Sequence, residues 1–405
     1  PQPCPFLPAS PALRQESRAP GGNRTESDRA TVRGSVEPGD PPPRRAAGTL
    51  RDQENVRRRR TMGVRMSEPL RIGIVGAGFI AGVIAAAIRD TPAARTTAVA
   101  SRTRASADRL ADAYAIPHVF DRWTDLIASG TCDAVYVATP TVAREEICLA
   151  AARGGLHVLG DKPFASADSV RRIGDACLAA GVAFLDATHF VHHPRHRMLK
   201  ESFEARIGGA RAIHTSFFFP NDDPANIRFR PEYEPTGAVG DMAWYSMRAV
   251  VEFTPDTARF ESGKGYLVRH PATQGVVRTS GVLRLDNGTH SVWEAGYDTG
   301  SCVQDLAVQG DSGMIAQHDF VLDWAGGFGF PDPAHRVHFV QRNGPATPKD
   351  WKTVDTPSEP RQAVRLVESF AALAAAPDRS AVEASIRSTV RTQELVDAIW
   401  AVSVD

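Results

Sequence analysis

The stretch Arg71-Ile72-Gly73-Ile74-Val75-Gly76-Ala77-Gly78-Phe79-Ile80-Ala81 decides the fold. A short apolar strand runs into Gly76-x-Gly78-x-x-Ala81 and then into an alanine-rich segment with helical periodicity. Gly76 permits a tight turn. Gly78 lets the backbone approach a pyrophosphate with no Cβ in the way, and the small Ala81 lets the helix pack close to the strand. The helix N-terminus adds free N–H groups and a partial positive charge. Gly76, Gly78, Phe79, Ile80 and Ala81 are therefore expected to cradle a dinucleotide.

Downstream, the pattern alternates. Apolar runs predict strands at 71–75, 96–101, 133–138, 156–160 and 183–187, and amphipathic periodicity predicts helices at 79–89, 104–114, 142–153 and 167–180. Such βαβ alternation specifies a doubly wound α/β domain with a parallel sheet. Beyond about residue 190 the grammar changes. A helix at 194–205 leads to a strand at 211–219 and a helix at 239–252. Strands follow near 265–270, 276–286, 289–297, 301–309 and 313–316, and helices at 360–375 and 381–400 close the chain. Turn signals such as Asp286-Asn287-Gly288 separate these strands. This predicts an α+β domain on a mostly antiparallel sheet. The expected domains are 67–190 and 191–405.

Residues 1–66 read as a disordered or upstream-translated tail. They are rich in Pro, Gly, Ser and Arg, with Met62 and Met66 the first methionines. The Arg57–Arg60 run lacks the apolar segment that an export signal needs after it. Acidic and basic residues balance at 47 each, which gives no electrostatic case for nucleic acid or a membrane surface. No apolar run is long enough to span a bilayer. The five cysteines are scattered with no CxxC pair, and a cytoplasmic location is expected. His189, His192, His193 and His196 cluster without a tetrahedral metal pattern, so no metal is expected.

In a βαβ dinucleotide unit, the end of the second strand meets the adenosine ribose, where a carboxylate selects NAD and an arginine accommodates a 2′-phosphate. Here the strand ends in Ser101-Arg102-Thr103-Arg104, with no carboxylate. NADP is the expected cofactor, with Ser101 and Arg102 as its ligands. NAD remains the alternative if Arg102 and Arg104 are merely solvated charges.

Three further segments fall on the sheet edge where ligands bind, or face it. Thr139 and Pro140 end the third expected strand. Asp161-Lys162-Pro163 follows the fourth, and Lys162 is the only lysine among the first 199 residues. Gly240-Asp241-Met242-Ala243-Trp244-Tyr245 opens a long helix, with Asp241 and Tyr245 on one helical face. Taken singly, each has a structural reading: a common Lys-Pro loop, a core tyrosine, an aspartate capping a helix. Trp244 reads as core.

Together these segments resemble the glucose–fructose oxidoreductase/inositol dehydrogenase (Gfo/Idh/MocA) family over roughly residues 70–405. The marks are Gly76–Ala81, Asp161-Lys162-Pro163 where the family usually has Glu-Lys-Pro, His193-Pro194-Arg195, and Gly240-Asp241-x-x-x-Tyr245. Asn226-Ile227-Arg228 with Gly240–Tyr245 is most similar to the dihydrodiol and sugar dehydrogenase branch. The resemblance implies a Rossmann domain followed by an open-faced sheet domain, often assembled into homodimers or homotetramers. It carries Lys162 onto the catalytic lysine and Tyr245 onto the catalytic tyrosine. Asp161, Thr141 and Ala243 depart from the family's usual Glu, Asn and Gly.

The expected chemistry is hydride transfer between the nicotinamide and a secondary alcohol or carbonyl of a sugar, cyclitol or dihydrodiol. Tyr245 would move the proton, with Lys162 polarising the oxygen and Asp241 holding Lys162 or a substrate hydroxyl. A free phenol, with pKa about 10, is a poor base. One ammonium about 4 Å away contributes about 4 kcal/mol at an effective dielectric of about 20, enough in principle to lower it. His189 and Arg228 are expected to bind substrate; for Arg228 the alternative is a surface pair with Glu232 or Glu234. Asp161 and Lys162 are expected to line the cofactor. The alternatives are a redox-assisted glycosidase with tightly bound cofactor, and a non-enzymatic nicotinamide-sensing regulator.

Overall fold

The computed structural model describes residues 68–322, 334–345, 347, 350–357 and 361–405. The expected tail at 1–66 lies outside the described residues.

The glycine-turn strand β1 (Leu70–Val75) sits in the middle of a six-stranded parallel sheet with β2 (Ala94–Ala100), β3 (His118–Phe120), β4 (Ala134–Val137), β5 (His157–Gly160) and β6 (Phe184–Asp186). The strand order is β3-β2-β1-β4-β5-β6. Order reverses between β1 and β4, and that switch point is where such sheets bind ligands, outside the strands' carboxyl ends. Continuous apolar runs become strands buried on both faces: all four residues of β4 are buried. The helices Phe79–Arg89, Arg104–Tyr114 and Ala167–Ala180 have the bounds their periodicity predicts. β3 and the helix Trp123–Ala128 are additional; both are too short to show a period.

The second sheet has nine strands among the described residues: β7 (Ala210–Phe218), β8 (Phe260–Arg269), β9 (Val276–Leu285), β10 (His290–Gly296), β11 (Val303–Gly310), β12 (Gly313–Gln317), β13 (His338–Asn343), β14 (Lys352–Asp355) and β15 (Ser403–Val404). Their order is β14-β13-β12-β11-β7-β10-β9-β8-β15. Pairing is antiparallel except at β7–β10 and β8–β15. One face of the sheet is buried. Trp293, on β10, is fully covered there. The other face carries exposed Tyr266, Val268, Val282 and Val292. The helix expected at 239–252 is two pieces, Ala238–Asp241 and Ala243–Glu252, broken at Met242. Far along the chain, the helix Gln362–Ala375 returns to the first sheet. Its Val364, Val367 and Phe370 share a core with Ile72, Ile74 and Ala81.

At the switch point Gly76 has φ +105°, and a Cβ there would lie 2.5 Å from the Ala138 carbonyl oxygen. Both the left-handed backbone and the close approach require glycine. Gly76→Ala is expected to cost about 1–3 kcal/mol of stability, measured by chemical denaturation; an unchanged midpoint would contradict this packing.

Candidate active site

Backbone forms the first part of the site. A Cβ at Gly78 would meet nothing within 4 Å, so this side of the turn is open. The helix Phe79–Arg89 begins there with no side-chain cap. First-turn N–H groups lack an intrahelical partner, so an uncapped helix end beside an open glycine fits a pyrophosphate. Ala81 is buried, Ile80 half-buried and Phe79 exposed beside the opening.

Past β2, Ser101 Oγ accepts from the Thr103 N–H at 3.3 Å. Arg104 is paired with Asp108 at 2.8 Å and Asp121 at 3.5 Å. Arg102 is different: it is exposed, and among the described residues its contact is with the Tyr233 ring, 5.8 Å from guanidinium carbon to ring centroid. Past β4, the Thr139 carbonyl accepts from buried Arg144, which also donates to the Pro163 carbonyl. Arg144 thus ties the Thr139-Pro140 turn to the Lys162-Pro163 turn. The next residue, Thr141, donates from its N–H and hydroxyl to buried Glu234 at 3.0 and 2.6 Å.

Past β5, Asp161 is buried and accepts from the Lys162 N–H at 2.9 Å. Burial raises its pKa. That carboxylate is engaged by its own turn. Lys162 Nζ donates to the Asp241 carbonyl at 2.8 Å and ion-pairs with Asp241 Oδ1. The other oxygen, Oδ2, accepts from Arg228 Nε at 2.6 Å and Tyr297 OH at 2.7 Å. Burial alone would push the Asp241 carboxyl up, but Arg228, Lys162 and Tyr297 outweigh it and hold it far below the usual carboxylate range. Asp241 is therefore a permanent anion that anchors two cations, not a helix cap.

Tyr245 joins the same cluster. Its ring centroid lies 4.8 Å from Lys162 Nζ, and its hydroxyl is hydrogen-bonded to His189 Nε2 at 3.0 Å. Both side chains are buried. Burial, with the nearby Asp241 and Asp161 carboxylates, pushes the phenol well above 10. The expected lowering by Lys162 does not occur: burial penalises a phenolate, and the ammonium is already paired with Asp241. The Tyr245 phenol is therefore held in its protonated form.

Lys162, Asp241, Tyr245, His189 and Arg228 thus form one contiguous constellation. Arg228 pairs with Asp241 rather than Glu232 or Glu234; Glu232 pairs with Arg230 at 2.6 Å. Trp244 is fully buried and donates to Thr188 Oγ1 at 2.8 Å. Of the other histidines, His193 accepts the Arg195 N–H, His196 bonds Glu252, and burial lowers His192 to about 4. Sequence reasoning missed Tyr297 and the Glu234–Thr141 contact. Tyr297 lies 56 residues from Asp241, with no local pattern to connect them.

The Asp241 carboxyl titrates lower in the folded chain than in the unfolded one. Its contribution to stability is therefore complete above the unfolded pKa, about 4, and declines as pH falls below that. Asp241→Ala leaves two cations unmatched and is expected to cost about 3 kcal/mol near neutrality, with a shallower loss of stability on acidification than the parent. Parallel acid-unfolding curves would contradict the clamp.

Residues 70–186 match the oxidoreductase family with an NAD-binding Rossmann fold, Gfo/Idh/MocA. A D-xylose 1-dehydrogenase (NADP(+)) of Haloferax volcanii is 32% identical over 234 residues, covering 56% of this chain and 69% of that protein. A dTDP-3,4-didehydro-2,6-dideoxy-alpha-D-glucose 3-reductase of Actinomadura kijaniata is 30% identical over 214 residues, covering 52% of this chain and 63% of that one. Among solved structures, KijD10, a 3-ketoreductase from Actinomadura kijaniata in complex with NADP and TDP-benzene, superposes with a TM-score of 0.72 at 22% identity, covering 83% of this chain and 98% of that one. That structural likeness concerns the fold. The chain belongs to the Gfo/Idh/MocA family of NAD(P)-dependent oxidoreductases.

Proposed function

We propose that this chain interconverts a secondary alcohol and a carbonyl on a sugar, cyclitol or related diol, with NADP as the redox partner. The observation that carries the reading is the meeting of the Lys162 amine and the Tyr245 ring, 4.8 Å apart, at the carboxyl edge that bears the glycine cradle. The sugar-directed names of the xylose dehydrogenase and hexose reductase relatives support the substrate class.

Gly76, Gly78 and the first turn after them would hold the pyrophosphate, Ser101 and Arg102 the adenosine end, and Thr139 and Pro140 the opposite wall. The bound nicotinamide supplies hydride for reduction or takes it in oxidation. The chain's own groups manage the oxygen and its proton. Lys162, fixed by Asp241, directs positive charge at the carbonyl oxygen. Tyr245 donates its proton to that oxygen, and His189, hydrogen-bonded to the phenol at 3.0 Å, orients the hydroxyl. In the oxidising direction the same transfer runs in reverse. Arg228, fixed through Nε to Asp241, presents its remaining donors to substrate hydroxyls. Asp161 supports Lys162 through its backbone N–H.

Among the described residues no helix is long and apolar enough to cross a membrane. Cys132, Cys148 and Cys177 are free, buried thiols, which supports a cytoplasmic setting. Val282 and Val292 are cross-strand neighbours on the open sheet face, with exposed Tyr266 diagonal to Val282 and Val268 further along the same strand. This apolar patch supports a homodimer or homotetramer, and light scattering that gives the monomer mass would contradict it.

Activity is tested by nicotinamide absorbance against a panel of aldoses, inositols and diols. Tyr245→Phe and Lys162→Met are each expected to lower kcat by about 100-fold or more; full activity in both would remove their assigned roles. Because the phenol's pKa is raised, its protonated form persists on the alkaline side. The reduction rate is expected to stay level from neutrality to about pH 10, and a fall in it between pH 7 and 8 would contradict the donor assignment.

A further inference from the structure

The segment between β7 and the helix Ala238–Asp241 crosses from the second sheet to the carboxyl edge of the first. Glu234 is buried there, and both carboxylate oxygens are taken by Thr141, immediately after the Thr139-Pro140 turn. Its neighbour Tyr233 is half-buried, and its N–H donates to the Arg230 carbonyl at 2.9 Å. With the backbone pinned on both sides, the Tyr233 ring stands against Arg102, 5.8 Å from its guanidinium carbon. Arg104, two residues on, is held by carboxylates, but Arg102 has no carboxylate partner among the described residues. A guanidinium held against a ring face keeps its N–H donors for a phosphate, whereas an arginine locked to a carboxylate does not.

We propose that Tyr233 is a positioning residue for cofactor choice: contributed by the second sheet's connecting segment, it orients Arg102 toward a 2′-phosphate. The inference rests on the reading of Arg102 as the 2′-phosphate ligand and adds a residue that no motif marks. It also links cofactor choice to the catalytic cluster, because one connecting segment carries Arg228, Tyr233 and Glu234.

The test measures binding of two fragments to the full chain by calorimetry: adenosine 2′,5′-bisphosphate, which carries the 2′-phosphate, and 5′-AMP, which lacks it. Tyr233→Leu is expected to weaken the bisphosphate about two- to fivefold, the worth of one exposed cation–π contact, while leaving 5′-AMP unchanged. Tyr233→Phe keeps the ring and is expected to bind as the parent does. Tyr233→Gln gives the same comparison as leucine through an unrelated side chain, and melting temperatures verify folding of each variant. Arg102→Ala is expected to abolish the difference between the two fragments. If Arg102→Ala abolishes it but Tyr233→Leu and Tyr233→Gln do not reduce it, the role of Tyr233 is overturned and the Arg102 reading stands. Equal weakening of both fragments would make the ring a general wall and would also overturn the proposal. If Arg102→Ala keeps the difference, the Arg102 reading itself falls.

Discussion

The candidate active site depends on one buried carboxylate. Asp241 receives Lys162 on one oxygen and Arg228 and Tyr297 on the other. A carboxylate removed from water without partners is costly, and removing one side of a buried pair leaves an uncompensated charge. Three donors from three separate segments offset that cost only when those segments are in register. The carboxylate therefore ties the lysine turn after β5 to the end of β10 and to the Arg228 segment. The same contacts that make Asp241 tolerable in the interior set the position of the Lys162 amine.

The charge count around Asp241 has a chemical consequence. Two cations share one firmly ionised carboxylate, so the Lys162 amine and the Arg228 guanidinium are held in fixed positions. On the proposed reading the Lys162 ammonium, fixed by Asp241, would face the carbonyl oxygen on which negative charge grows during reduction. Preorganised charge of this kind acts without reorganisation at the moment of reaction. Burial keeps Tyr245 protonated, which fits the proposed donor role. On the proposed reading the ammonium serves the substrate oxygen and not the phenol. The simple expectation from charge proximity fails because it leaves out both the counterion and the dielectric cost of a buried phenolate.

Much of this was legible in the amino-acid sequence, for identifiable reasons. The glycine turn, the continuous apolar strands and the amphipathic helices of the first sheet are local patterns, and the structure places them within a few residues of their expected bounds. Lys162, Asp241 and Tyr245 could be named from short motifs. β13, β14 and β15 were not expected; β14 and β15, at four and two residues, are too short to carry a periodic signal. The break at Met242 is likewise invisible in a sequence with unbroken helical character. Tyr297 and Glu234 act through contacts made only after distant segments pack. Neither is distinguishable from an ordinary strand tyrosine or a surface glutamate before the fold exists.

The most direct measurement is a crystal structure of the full chain with NADP and a bound sugar or polyol. The account predicts Lys162 Nζ and Tyr245 OH within about 3.2 Å of one substrate oxygen, with Asp241 still gripping the amine. A ternary complex in which either group points away from the reacting oxygen would contradict it.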